Sequence, residues 1–521
     1  PKFELGLFEN PFVPIPLESN EAEEKERKLA REAAVKSVVL LKNHNRTLPL
    51  DNRIQTLLVT GPDATPGRTG GYSGPGTHVV SLLEGLHNRT GKSFNILYTP
   101  GCSHSGEEWQ TVPPEVLYSV QNGISQQGLC AEYFANPDFE GSATLHRTDP
   151  EINFRWTLYS PDPAIPFDFF SVRWTGQIQP QEEGEYEIGL EGNDGYRMWI
   201  DGKLLIDNSR QTSYGRKTQT FRFQKGKSYD LKIEFRETSG SVWLRMIWKI
   251  AGTHPEDEML KEAERLAAKA DAIVVAAGIL EGEGLDRARL SLPGRQEELI
   301  RMMAASGKPV IVVITGGSAV TMENWKEFAD AILMAWYPGE EGGHALAGIL
   351  FGDENPAGRL PITFPMTEGQ LPLVYNHYPT GRNDDYGDFT GQALFPFGYG
   401  LSYTEFTYSG LQTLNPDFAS GDSCIVCFTL KNTGTRDGEE VVQLYTRSLY
   451  MPASMPVKEL RRFRRVPLRA GEEKEIRFAL HRNEFAVWSP DKGRTCEPGN
   501  ARIMIGASSR DIRLREEIKL P

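Results

Sequence analysis

Ala272-Ile273-Val274-Val275-Ala276-Ala277 runs directly into Gly278-Ile279-Leu280-Glu281-Gly282-Glu283-Gly284-Leu285-Asp286-Arg287. The first six residues are apolar and continuous, the pattern of a strand buried on both faces of a parallel sheet. Pro293, in Leu292-Pro293-Gly294-Arg295, is placed to open a helix. The acidic stretch is therefore a loop at the carboxyl end of a strand in an α/β layer. Open α/β sheets bind ligands at that edge. Glycines at 278, 282 and 284 remove side chains around two carboxylates. A glycine-flanked carboxylate at a strand end is a candidate general acid/base. A solvated acidic loop would show the same local pattern.

Working outward, the α/β rhythm is found on both sides of this loop. Glu21–Val39 reads as a helix capped by Ser19 or Asn20, with Leu29, Ala33, Ala34 and Val38 on one face. Ile54–Thr60 and Phe94–Tyr98 read as strands, with a helix over Val80–Leu86 between them. The loop Gly67-Arg68-Thr69-Gly70-Gly71-Tyr72-Ser73-Gly74 lacks the Gly-Lys-Ser/Thr ending of a phosphate loop. A helix over Glu258–Ala270 precedes the strand at 272. Val310–Ile314 and Ala331–Ala335 are two more buried strands.

Between Gly128 and Ile250 the pattern turns to short alternating strands, with Asp-Gly pairs at 194–195 and 201–202 reading as hairpin turns. This predicts an all-β module inserted into the α/β domain. A loop-rich connector follows Pro365. From Glu405 to the end the pattern is again that of a β-sandwich. The predicted organisation is an α/β sandwich over 1–127 and 251–375, a β domain over 128–250, a linker over 376–404 and a β-sandwich over 405–521.

Composition bounds the function. The chain has 521 residues and a formal net charge of −13. With no basic stripe, nucleic acid is not an expected partner. No apolar run reaches the roughly 20 residues that span a bilayer. Five scattered cysteines do not form a disulfide framework. Cys424 and Cys427 lie three apart in a strand pattern, point to opposite faces and have no second pair, so zinc is not expected. Asp194 and Asp201 read as turn residues rather than calcium ligands. Neither cofactor nor metal is expected. Pro1 reads as a cut or processed start, so secreted, periplasmic and cytoplasmic locations all stay open, as does homo-oligomerisation.

Several motifs carry a resemblance. Trp336-Tyr337-Pro338-Gly339-Glu340-Glu341-Gly342-Gly343, Leu350-Phe351-Gly352-Asp353-Glu354-Asn355-Pro356-Ala357-Gly358-Arg359-Leu360-Pro361 and Phe395-Pro396-Phe397-Gly398-Tyr399-Gly400-Leu401-Ser402-Tyr403 resemble glycoside hydrolase family 3. Asn193-Asp194-Gly195-Tyr196-Arg197-Met198-Trp199-Ile200-Asp201-Gly202 resembles a protective-antigen-type (PA14-like) carbohydrate-binding domain. Asn432-Thr433-Gly434 and Glu439–Tyr445 resemble the family's fibronectin type III-like domain.

The resemblance implies a retaining, exo-acting β-glycosidase, of β-glucosidase or β-xylosidase type, acting on β-linked oligosaccharides or glycosides. A non-catalytic carbohydrate-binding scaffold is the other class that this fold would serve. The family's Glu-Gly-x-Asp-Arg motif falls on Glu283–Arg287 and implies that Glu283 is the acid/base, with Glu281 the alternative. Asp286 and Arg287 either pair to shape the loop or touch substrate. Arg68 and Tyr72 either line the site rim or form a plain βα turn. Trp336 and Tyr337 read as core or interdomain packing residues, with stacking on a sugar the alternative. The family's aspartate nucleophile sits in a Ser-Asp-Trp motif on an N-terminal barrel. That motif is absent from this sequence. The resemblance therefore implies that such a barrel partners the chain and that the chain alone is inactive.

Overall fold

In the computed structural model, Ala272–Gly278 is a strand whose seven residues are all buried. The structure describes the chain apart from residues 1, 13–19, 52, 72, 75, 77, 92–93, 107, 122, 157–158, 211–212, 381–383, 420, 450–453, 490, 492 and 521, and apart from the side chains of 20–22, 121 and 489. The chain divides into two compact units, Glu107–Asp257 and the remainder.

The larger unit is built on a six-stranded sheet. Its strands are β1 (Val39–Asn43), β2 (Thr56–Thr60), β3 (Asn95–Thr99), β4 (Ala272–Gly278), β5 (Val310–Thr315) and β6 (Ala331–Trp336), in the spatial order β1-β6-β5-β4-β2-β3. All neighbours are parallel except β1, which pairs antiparallel with β6. The helices are α1 (Asn20–Ser37), α2 (Leu82–Thr90), α3 (Asp257–Ala267), α4 (Gln296–Ala305) and α5 (Gly342–Phe351).

Alternation along β4 shows why the run reads as continuous. Ile273, Val275 and Ala277 enter one apolar cluster with Leu260 and Ala263 of α3 and Leu299 and Met303 of α4. Ala272, Val274 and Ala276 enter another with Leu82 and Leu86 of α2 and Leu346 and Leu350 of α5. Both faces of the strand are covered by helices, so no polar position is needed.

Several boundaries differ from the sequence reading. The first helix stops at Ser37, and Val39 begins the antiparallel edge strand. Ala34 and Val38 are buried as expected, but Leu29 and Ala33 are exposed, so the apolar packing of α1 lies at its C-terminal end, while Arg27 pairs with Glu341 farther up the helix. Of the two caps read from the sequence, Ser19 and the side chain of Asn20 lie outside what is described, and Asn20 is the first residue of the helix. The stretch read as a linker partly closes the α/β domain. Leu401 bridges Leu40, Phe395 bridges Phe364, and the Tyr399 hydroxyl donates to the Leu41 carbonyl at 3.2 Å.

The unit Glu107–Asp257 is all β. One sheet of eight strands includes Leu129–Phe134, Ser171–Ile178, Gly195–Ile200 and Tyr229–Arg236. A second, of five, includes Gly184–Gly192, Gly215–Phe223 and Val242–Ile250. The unit begins near 107 rather than 128, because the short, largely polar strands Leu117–Gln121 and Ile124–Gln127 join its larger sheet without a clear alternation to announce them. Asp201 and Gly202 both have positive φ and close a true hairpin. Asp194-Gly195 does not. The strands on either side of it belong to different sheets, so it is a corner.

The C-terminal module is a sandwich. Phe406–Leu414, Ser423–Asn432 and Glu473–His481 form one sheet; Gly438–Leu449, Glu459–Leu468, Gly499–Gly506 and Ile512–Leu520 form the other. Val426 and Phe428 meet Leu444, Ile503 and Ile505 between them. Cys424 and Cys427 are both buried and unbonded to each other.

Candidate active site

The sheet order places a switch point between β2 and β4. From β2 the chain moves outward to β3, then resumes on the other side of β2 at β4. Loops leaving neighbouring strands in opposite directions open a crevice at their carboxyl ends. The segments after β2 through β6 all meet there.

The buried side chain of Gln296, the first residue of α4, fixes where the loop leaves β4. Its Oε1 accepts from the Gly278 N–H at 2.8 Å and its Nε2 donates to the Gly278 carbonyl at 2.9 Å. Beyond Ile279 the chain turns out to solvent. The Leu285 N–H donates to the Gly282 carbonyl at 3.1 Å, which closes a tight turn over Gly282-Glu283-Gly284-Leu285. Gly284 has φ +75°, the positive value a type II turn requires at its third position. Glu283 occupies the second position. It is exposed and has no hydrogen bond or ion pair among the described residues.

Glu281, two residues earlier, is held on both oxygens. Its Oε2 accepts from the Gly317 N–H at 2.5 Å and from the Tyr337 hydroxyl at 3.0 Å. Its Oε1 accepts from the Ser318 hydroxyl and lies 3.8 Å from Arg287 Nη2. Burial and the hydrogen bond to Glu281 push the Tyr337 hydroxyl up to about 12, so it stays a donor at ordinary pH. Arg287 Nη2 donates to the Ser318 hydroxyl at 2.7 Å and to the Ala319 carbonyl at 3.4 Å. Its guanidinium is thus directed at the β5 loop rather than at Asp286, which is exposed with no partner among the described residues.

The loop after β2 forms the opposite wall. Arg68 Nε donates to Asp63 Oδ1 at 2.8 Å, and His104, from the loop after β3, lies 2.9 Å from the same oxygen. Asp63 is buried and Arg68 half-buried. A Cβ on Gly71 would come 3.0 Å from the Glu281 carbonyl, so this loop lies close against the acidic one. Tyr72 lies outside the described residues.

Sequence reading brought Glu281, Glu283, Arg287 and Arg68 to one sheet edge. It missed Asp63, His104 and Ser318, and it gave Tyr337 a packing role where the structure gives it a carboxylate partner. The signal for Ser318 was present in Gly316-Gly317-Ser318, which follows a buried strand as the acidic loop does. A Cβ on Gly317 would come 3.0 Å from Glu281 Oε2, so the residue there has to be small. Among the described residues no group of side chains is set to hold a metal ion, and no helix is long and apolar enough to cross a membrane.

Comparison with known proteins gives these loops a context. Residues 38–403 match the model of the glycosyl hydrolase family 3 C-terminal domain, and residues 440–509 that of a fibronectin type III-like domain. The chain is 30% identical to a xylan 1,4-β-xylosidase of Xylanibacter ruminicola, over 99% of this chain and 60% of that protein. It is 31% identical to a β-glucosidase of Kluyveromyces marxianus, over 94% of this chain and 62% of that one. The crystal structure of the Kluyveromyces marxianus β-glucosidase in complex with glucose superposes with a TM-score of 0.62 at 28% identity, over 99% of this chain and 65% of that one. The chain thus spans less than two thirds of the length of these relatives.

Proposed function

The chain belongs to glycoside hydrolase family 3, and on that footing we propose that it is the acid/base-bearing portion of a retaining, exo-acting β-glycosidase. Its most fitting activity is removal of terminal β-D-glucosyl residues. The inserted β unit is read as a PA14-like carbohydrate-binding domain. The partners of the whole enzyme are a β-linked oligosaccharide or glycoside and an N-terminal barrel that carries the aspartate nucleophile.

The observation that carries this reading is the contrast between two carboxylates at the switch point. Glu281 is held on both oxygens by donors from its own chain. Glu283 stands free at the corner of a glycine-flanked turn. In the first half-reaction Glu283 gives its proton to the glycosidic oxygen as the C–O bond breaks and the nucleophile carboxylate bonds to the anomeric carbon. In the second it takes a proton from water as the water oxygen attacks that carbon and frees the nucleophile. Retention requires the two carboxyl groups roughly 5–5.5 Å apart across the scissile bond. Asp286 and Arg68 are read as lining the rim of the same site.

The test is Glu283→Ala in the enzyme assembled with its barrel. Alkyl and oligosaccharide substrates, which need protonation, should lose most of their kcat/KM. Activated aryl glycosides should keep their first step and accumulate the glycosyl-enzyme. Azide should then restore turnover and yield the β-glycosyl azide. Near-normal activity on alkyl glycosides would end the assignment.

A second reading concerns the sugar. The likeness to the xylan 1,4-β-xylosidase spans nearly the whole chain, so β-xylosidase activity is the alternative. Rates on matched aryl β-glucosides and β-xylosides decide between them.

A further inference from the structure

We infer that Glu281, Ser318 and Arg287 form a clamp that closes the base of the Glu283 turn, and that all three are positioning residues for the acid/base. The inference rests on the reading of Glu283 given above.

Glu281 stands two residues before Glu283 and Arg287 four residues after it. Both side chains converge on one hydroxyl from a different loop. Ser318 Oγ donates its proton to Glu281 Oε1 and accepts from Arg287 Nη2. A hydroxyl can do both at once, which neither an alkyl nor an ammonium group could. The carboxylate and guanidinium lie 3.8 Å apart, each only partly exposed, so the charge pair reinforces the hydroxyl bridge. The Gly317 N–H and the Tyr337 hydroxyl hold the second oxygen of Glu281, and Gln296 holds Gly278. The loops after β5 and β6, together with Gln296 of α4, therefore each contribute a bond that fixes a short segment at its ends.

Between those ends the segment is weakly held. Gly282 and Gly284 give the backbone freedom, and the bond from the Leu285 N–H to the Gly282 carbonyl spans the tip. A turn with two fixed feet has few ways to move its corner. Proton transfer needs the carboxyl within about 3 Å of the oxygen it serves. A displacement near 1 Å lowers such a rate by roughly 100-fold. The anchoring of Glu281 thus sets where Glu283 can stand.

The experiment uses the assembled enzyme and four variants. Ser318→Ala removes the bridge. Ser318→Thr keeps the hydroxyl. Glu281→Gln keeps the shape but places a donor where two donors already point. Glu283→Ala is the reference. Ser318→Ala and Glu281→Gln should lower kcat/KM on alkyl glycosides by roughly 10–100-fold, yet change a dinitrophenyl glycoside by less than about threefold. Ser318→Thr should restore the alkyl rate. Urea midpoints measured alongside show whether each variant folds.

Equal losses on both substrate classes would mark a structural role and overturn the inference. Wild-type behaviour of Ser318→Ala and Glu281→Gln, beside a Glu283→Ala enzyme that azide rescues, would overturn the clamp and leave the acid/base reading standing. Azide rescue of Glu281→Gln with none for Glu283→Ala would overturn both, because Glu281 would then be the acid/base itself.

Discussion

Asp63, just after β2, presses its carboxylate against Gly278 at the end of the neighbouring strand β4. A Cβ built on Gly278 would lie 1.8 Å from Asp63 Oδ2 and 2.5 Å from the Thr315 carbonyl. The absence of a side chain at 278 is thus what lets a buried carboxylate and a strand end share one place. Gly278→Ala should force one of the two away, at an overpacking cost of about 1–3 kcal/mol. A double-mutant cycle checks the cause. In an Asp63→Ala background the same substitution should cost measurably less in urea unfolding. Additive losses would show that Asp63 is not the obstruction.

The all-β unit carries a buried polar knot. Asp149 accepts from the Tyr133 hydroxyl at 2.6 Å, from Trp174 Nε1 at 2.7 Å and from Arg147 Nε at 2.7 Å. Burial and the adjacent Asp149 raise the Tyr133 hydroxyl far above its ordinary range, so it remains a donor. Asp149→Ala leaves the buried Tyr133 hydroxyl and Trp174 N–H without this acceptor, and takes the carboxylate partner from the half-buried Arg147. We expect a loss of about 3–5 kcal/mol, the range for breaking a buried charge pair. Chemical denaturation followed by tryptophan fluorescence reads it, and a loss below about 1 kcal/mol would mean that water replaces the carboxylate.

These two features show what the sequence could and could not announce. The central strands were legible because they are buried on both faces, and continuous apolar runs such as Val310–Ile314 admit few other readings. The acidic loop was legible through its glycines. The partners of Glu281 were not, because Ser318 and Tyr337 lie 37 and 56 residues away in sequence. Only the parallel register brings their loops together, and no local pattern encodes a register between strands so far apart. The edge strand Val39–Asn43 was lost for a different reason: its apolar residues continue the apolar spacing of the helix before it. The helix Gly342–Phe351 had no reading in the sequence: it opens on two glycines, which give no helical signal, although the helix is buried nearly throughout.

Glu237 should make the β unit sensitive to pH. It is fully buried; its Oε2 accepts from the Phe169 N–H at 2.7 Å, while Oε1 has no hydrogen-bond partner among the described residues. Burial pushes its carboxyl up to about 7, against the bond from Phe169, with Asp194 and Asp168 adding to the rise. The folded state therefore holds a proton that the unfolded state releases near its ordinary 4.5. Stability linked to this proton is full below about 4.5 and is lost as pH rises through about 7. The melting midpoint of the chain should fall across that window, and Glu237→Gln should remove this part of the fall. Parallel pH profiles for the two proteins would show that Glu237 is not its source.

Arg465 should anchor the C-terminal sandwich to the α/β domain. The basic run Lys458–Arg465 lies mostly on an edge strand, and Arg462, Arg464 and Arg465 each have a partner there. Arg462 pairs with Glu484, and Arg464 lies over the Phe478 ring. Arg465 crosses between the domains. Its Nη2 donates to the Lys36 carbonyl at 3.0 Å, and its Nη1 donates to the Ala357 carbonyl at 3.1 Å and to Glu439 at 3.2 Å. The Lys36 carbonyl belongs to the last turn of α1, where carbonyls lack helical partners, so the guanidinium supplies a bond the helix cannot. Arg465→Ala should cost about 1–3 kcal/mol by leaving these acceptors unpaired. Arg465→Lys should recover little, because a single ammonium cannot reach both carbonyls with the spread of a planar fork. Hydrogen exchange should report the change locally, with faster exchange over 34–41 and 355–360 and little change in β4 and β5. Full rescue by lysine would mean that the charge alone, and not the two-carbonyl geometry, holds the junction.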